Sequence, residues 1–176
     1  MRTANLLQMK AEISTQFNES TFTQCSLDTA NQYILINNLT VKIFNFDEIK
    51  ENLVKLLPNP KCMEPDSLDS LFLGKNDLVF FEFKNTELKY DEIRMKIYES
   101  ISLICNQYSL NNNDIKGSTI YLIHRTDNPS THRYTNGLCP NKLFFVEDVL
   151  GIKILRYDAK TFEQYLNKYG DFPSRT

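Results

Sequence analysis

The 176-residue chain has few of the features that announce a specialised environment. No apolar run approaches the roughly 20 residues that cross a bilayer, so no membrane partner is expected. Met1 to Lys10 lacks the apolar core of a signal peptide. Only four cysteines are present, Cys25, Cys62, Cys105 and Cys139, and none form a CxxC pair. The expectation is therefore free thiols in a reducing cytoplasm rather than a disulfide framework. His124 and His132 are the two histidines, and neither stands at ligand spacing from a cysteine, which argues against a zinc centre. A net charge of −2 excludes the global basic field of an autonomous nucleic-acid binder, so such a contact has to come from a local patch or a partner. Repeats and low-complexity tracts are absent. A length of this order predicts one domain over residues 1–176, with a core at 31–169 and either a short helix or a mobile leader in residues 1–24.

What is present reads as alternating strands and helices. Tyr33–Ile36 and Leu39–Phe44 predict two strands around an Asn37-Asn38 turn. Asn45 is a suitable N-cap for a helix ending before Pro58, with Ile49, Leu53, Leu56 and Leu57 on its apolar stripe. Ser70–Leu73, a Gly74–Asp77 turn and Leu78–Lys84 form a hairpin. Leu88–Tyr108 follows as a long helix, because Ile93, Ile97, Ile101, Ile104 and Tyr108 recur at steps of three and four. Gly117–Ile123 and Ile152–Tyr157 are strands, Leu143–Val146 a short strand, and Ala159–Tyr169 a closing helix. Residues 125–142 read as a loop of unusual length. The fold class is α/β: a mixed sheet with a central hairpin, flanked by helices on both faces.

The hairpin holds the anomaly. Leu78, Val79, Phe80, Phe81 and Phe83 make both faces of one strand apolar, as in a strand covered on both sides. Yet Glu82 and Lys84 share one of those faces. Charges there are costly unless paired, hydrogen-bonded or bound to metal, and such a conflict between pattern and burial is where function is expected.

Asp69 followed by Glu82-Phe83-Lys84, with an amphipathic helix before and a long helix after, resembles the PD-(D/E)XK nuclease superfamily over residues 31 to 124. The resemblance implies a restriction-endonuclease-like core and hydrolysis of phosphodiester bonds, in DNA rather than RNA. It implies Asp69 and Glu82 as carboxylate ligands of Mg²⁺ or Mn²⁺, the Phe83 carbonyl as a further ligand, and Lys84 as the residue that positions or activates water. Asp66 follows Pro65 as in the family's name, but Asp69 abuts the apolar strand and is preferred. Glu48 or Glu51 stands where the family often adds a glutamate from the preceding helix. Lys96 and Ser100 stand on the helix that often contributes a polar residue.

The chemistry of such a layout is general. Mg²⁺ takes oxygen ligands, including one or two carboxylates together with water and phosphate, and two carboxylates on neighbouring strands can converge on one ion. In the long loop, Arg125, His132, Arg133, Tyr134 and Lys142 mix cations with an aromatic ring, as a segment contacting phosphates or bases does. A nucleophile pair of Cys139 with His132 has no orienting acid in view. The mild acidity fits an alternative, a nuclease-like module that does not cut and acts by binding or regulating a protein partner. A small nuclease of this type also often works as a homodimer.

Overall fold

A computed structural model describes residues 4–60, 64–85, 89–125 and 141–172. Its helices are α1 (Ala4–Gln16), α2 (Phe22–Cys25), α3 (Phe46–Lys55), α4 (Tyr90–Tyr108), α5 (Asn112–Ile115), α6 (Asn141–Leu150) and α7 (Ala159–Tyr169). Its strands are β1 (Glu19–Thr21), β2 (Leu27–Asp28), β3 (Tyr33–Ile34), β4 (Lys42–Asn45), β5 (Ser70–Leu73), β6 (Leu78–Lys84), β7 (Thr119–His124) and β8 (Lys153–Asp158). Six strands form one mixed sheet in the order β1-β4-β5-β6-β7-β8, and β2 with β3 makes a separate two-stranded ribbon. The first four strands of the sheet pair antiparallel, whereas β6-β7 and β7-β8 pair parallel. No helix among the described residues is long and apolar enough to cross a membrane.

Alternation along β6 divides the core. Leu78 and Phe80 face a layer built by Leu6, Met9 and Ile13 of α1, Ile49 and Leu53 of α3, and Ile93, Ile97 and Ile104 of α4. Val79 and Phe81 face the other layer, where α2 and α7 pack. That second layer is aromatic. Phe22 meets Phe81 edge-on at 4.9 Å between ring centroids, and Tyr121 lies 5.5 Å from both Phe81 and Phe162, geometries that add to the gain from burial alone. Glu82 continues the series Leu78, Phe80 into the first layer.

Local signals account for most boundaries. The Asn45 side chain accepts the Asp47 N–H and starts α3, and Asp158 does the same for α7 through Thr161. Gly170, at φ 65°, closes α7 in a left-handed cap.

Of the two alternatives for residues 1–24, the helix is present: residues 4–16 are helical with Leu6, Met9 and Ile13 fully buried. Two expectations need correction. The predicted Tyr33–Phe44 hairpin does not form. Its first strand pairs with β2 and its second with β1 and β5. Asn38, in place of leading a two-residue turn, accepts the N–H groups of Thr40 and Val41 on its own side chain, while Ser26 both donates to and accepts from the backbone of Ile36. Leu143–Val146 is helical: Leu143 and Val146 are buried three residues apart on α6, and a four-residue apolar run does not distinguish the two periods. Most of the predicted 125–142 loop, residues 126–140, lies outside the described residues.

Candidate functional site

The hairpin register builds the site. Ser70 pairs with Phe81 and Leu71 with Phe80, so the next step brings Asp69 across from Glu82, and the Asp69 N–H donates to the Phe81 carbonyl at 3.0 Å. Beyond Asp69 the chain leaves β6. The Leu68 N–H is bound by Ser100 Oγ of α4 at 2.9 Å, which leaves the Phe83 N–H with no strand beside it. Asp69 Oδ2 accepts that N–H. One carboxylate oxygen thus completes the ladder, and the other, Oδ1, faces the layer below α4.

Glu82 is wholly buried there. Lys84 Nζ lies 2.9 Å from Glu82 Oε1, and Lys96 Nζ lies 2.9 Å from the same oxygen. Lys96 Nζ is also 3.6 Å from Asp69 Oδ1. Both carboxylates therefore point to one side of the sheet and approach a common atom. Lys96 is placed by Ile93 and Ile97, which are fully buried on the same face of α4. Among the described residues, both Glu82 oxygens are buried without a hydrogen-bond partner, and the two ammonium contacts fall on Oε1.

The four formal charges cancel, but the fields within the cluster are strong. Burial, reinforced by the Glu82 charge, pushes the Asp69 carboxyl up to about 7 against the pull of Lys96, the Phe83 N–H and Lys84. Burial works to lower the Lys96 ammonium, but Asp69 and Glu82 together outweigh it and hold it above its ordinary value.

Beside the cluster is a polar cleft of about 280 Å³ at the carboxyl end of β6, lined by Asp69, Phe83, Lys84 and Asn85 on the sheet side and by Cys25 and Asp28 opposite. The β2–β3 ribbon forms the far wall and is tied across by Asn85 Nδ2 to Asp28 Oδ2 at 3.2 Å. Hydrogen bonds from Asn31 and Asn85 hold Asp28 below the ordinary carboxylate range. Burial raises the Cys25 thiol, which disfavours a thiolate nucleophile.

Of the predicted residues, the fold brings Asp69, Glu82, Lys84 and Lys96 together. Phe83 lends its N–H to Asp69, and its ring packs on the opposite face against Phe22. Ser100 touches none of the charges and instead fixes the backbone just before Asp69. Glu48 and Glu51 are exposed on α3. Asp66 is exposed, and its N–H donates to Glu99. Arg125 sits at the end of β7, donating its N–H to the Lys84 carbonyl at 3.0 Å, with its guanidinium 4.2 Å from the Tyr33 ring centroid. Arg133, His132, Tyr134 and Cys139, and the side chain of Lys142, lie outside the described residues.

Three neighbours were not anticipated. Asp28 lies on a two-residue strand with no readable pattern. Asn85 simply follows Lys84. Asp47, in the first turn of α3, bonds Ser67 and Lys50 and acts electrostatically on Lys96.

An all-oxygen pair of carboxylates suits a hard cation such as Mg²⁺ or Mn²⁺. Glu82 Oε2 is buried without a hydrogen-bond partner among the described residues, and Asp69 Oδ1 lies on the same side. Among the described residues, no group of three or more histidine, cysteine, aspartate or glutamate side chains is placed to hold a metal, so an ion at the pair would need other oxygens to complete its shell. Compared with family models, with curated proteins and with solved structures, the chain has no match.

Proposed function

We propose that the chain is a metal-dependent nuclease with a restriction-endonuclease-like core, hydrolysing phosphodiester bonds of nucleic acid, DNA in the first instance. One observation carries the reading: a carboxylate just before β5 and one on β6 converge beside a lysine on the same face, and among the described residues the buried glutamate's Oε2 has no hydrogen-bond partner. A buried anion with a spare lone pair is expensive unless it serves a ligand.

In this reading Asp69 and Glu82 hold Mg²⁺ or Mn²⁺, and Lys84 orients the attacking water. The ion supplies charge stabilisation on the phosphate oxygens and a lowered pKa for bound water. Asp69 keeps its second oxygen on the Phe83 N–H, which fixes the carboxylate plane. The cleft beside Lys84 and Asn85 receives the strand. The test is cleavage of single- and double-stranded DNA and RNA by purified protein with Mg²⁺ or Mn²⁺. Glu82→Gln is the control. Activity that vanishes in Glu82→Gln supports the reading, and the absence of any cleavage sinks it.

A second reading has its own observation. Lys96 already bridges both carboxylates, so the cluster is neutral without a metal. That favours a nuclease-like module that does not cut and acts through a protein partner. Calorimetry with Mn²⁺ separates the two, since the module binds none.

A further inference from the structure

Resting on the metal-site reading above, we infer that Lys96 is a tethered competitor of the metal: its ammonium occupies the position the cation needs, and loading requires it to swing out. The geometry leaves little alternative for a cation that uses both carboxylates. Lys96 Nζ is 2.9 Å from Glu82 Oε1 and 3.6 Å from Asp69 Oδ1. A divalent ion drawn to those oxygens, and to the buried Glu82 Oε2 beside them, meets a like charge at about a ligand's distance.

Lys84 differs. Among the described residues it pairs with Glu82 and with no other carboxylate, so a cation can sit on the Asp69 side without displacing it.

Lys96 also has somewhere to go. Its side chain is 19% exposed, so the residue is not sealed within the core. Its stem is flexible, and a lysine ammonium can turn about it without moving the helix. Asp47, whose side chain is 56% exposed, attracts Lys96 from the start of α3 and offers a resting partner outside the carboxylate pair. Exchanging the singly charged ammonium for a divalent ion takes the cluster from neutral to a net charge of +1. The metal therefore binds weakly until something holds Lys96 away, and an arriving phosphate is an anion of the right chemistry to do so.

Removing the ammonium tests this without any need for catalysis. Mn²⁺ binding is measured by calorimetry and by loss of the free-ion paramagnetic resonance signal, for the wild-type protein, Lys96→Met and Lys96→Gln. The expected result is at least a tenfold tighter Mn²⁺ constant in both variants at one ion per chain, abolished when Asp69→Asn is added. Asp47→Asn, which removes the resting partner, is expected to weaken Mn²⁺ binding in the wild-type background and to have no effect in Lys96→Met. Wild-type protein that binds Mn²⁺ while the Lys96 variants bind it equally or more weakly overturns the competitor role and leaves the metal site standing. An absence of binding in all of them overturns both. The two substitutions at Lys96 guard against one that fails to fold.

Discussion

The cluster makes a prediction about which charge the fold can least afford to strand. Glu82 is fully buried, whereas Lys84 and Lys96 are 20% and 19% exposed. Each ammonium contact at 2.9 Å is worth about 6 kcal/mol of Coulomb attraction at an effective dielectric of about 20, against a desolvation penalty of several kcal/mol per ion. Neither side of this balance survives alone, but the two sides fail differently. In Glu82→Gln the lysines turn to water and the amide keeps the volume, so the cost is about 1–2 kcal/mol, that of imperfect hydrogen bonding. In Lys84→Met with Lys96→Met the carboxylate has no route to solvent, and the cost is about 3–5 kcal/mol, that of an uncompensated buried ion. For a chain of this length the latter lowers the melting temperature by roughly 10 °C. Urea denaturation of metal-free protein at pH 8 and pH 5 measures it. The double lysine variant should recover most of its deficit at pH 5, because a proton can discharge the stranded carboxylate, whereas Glu82→Gln should show no such recovery. Equal losses in the two proteins, or a deficit in the double variant that ignores pH, would refute the asymmetry between a buried anion and bordering cations.

Further outcomes follow from single contacts. Asp69, raised to about 7 from an ordinary 3.8, binds its proton more tightly in the folded state, so its contribution is complete below about pH 4 and is lost as pH rises towards 7. Metal-free Asp69→Asn should therefore show a flatter stability profile across that window, checked by denaturant titration at each pH. Ser100→Ala strands the buried Leu68 N–H and should cost about 1–3 kcal/mol, while also weakening Mn²⁺ binding, because Leu68 precedes Asp69. Phe22→Ala removes the hub of the aromatic layer and should cost about 3–5 kcal/mol by thermal denaturation without altering Mn²⁺ affinity, since Phe22 lies across the sheet from Glu82.

The parts of the fold that can be read from sequence are those where one period dominates. β6, α3, α4 and α7 carry uninterrupted apolar series, and the series fixes both the element and the face it buries. The parts that cannot be read are short or ambiguous. β1 and β2 have three and two residues, too few to show a period, so the ribbon that walls the cleft, and Asp28 on it, left no mark. Tyr33–Ile36 carries a strand's composition, but its partner is decided by Ser26 and Asn38, whose side chains bond backbone groups from a distance in sequence. The site divides the same way. Glu82 and Lys84 stand out because charge interrupts an apolar face. Asp47 stands in an ordinary helix first turn, and nothing local indicates that its charge acts on Lys96.

The location of the cluster follows from where the sheet changes its pairing. β6 is antiparallel to β5 on one side and parallel to β7 on the other, so at its carboxyl end one neighbour is just entering the sheet and the other is about to leave. β5 begins only at Ser70, opposite Phe81, so the Phe83 N–H lies beyond its end. A partly buried backbone donor needs an acceptor, and the side chain of Asp69, just before β5, supplies it. A serine or asparagine in position 69 would serve that purpose with no charge to bury. An aspartate instead adds a second anion facing Glu82, at the cost of a carboxyl pushed to about 7. The backbone's need therefore explains a hydrogen-bond acceptor at position 69 but not an acid, and the surplus charge is the part of the arrangement that a cation, tethered or bound, accounts for.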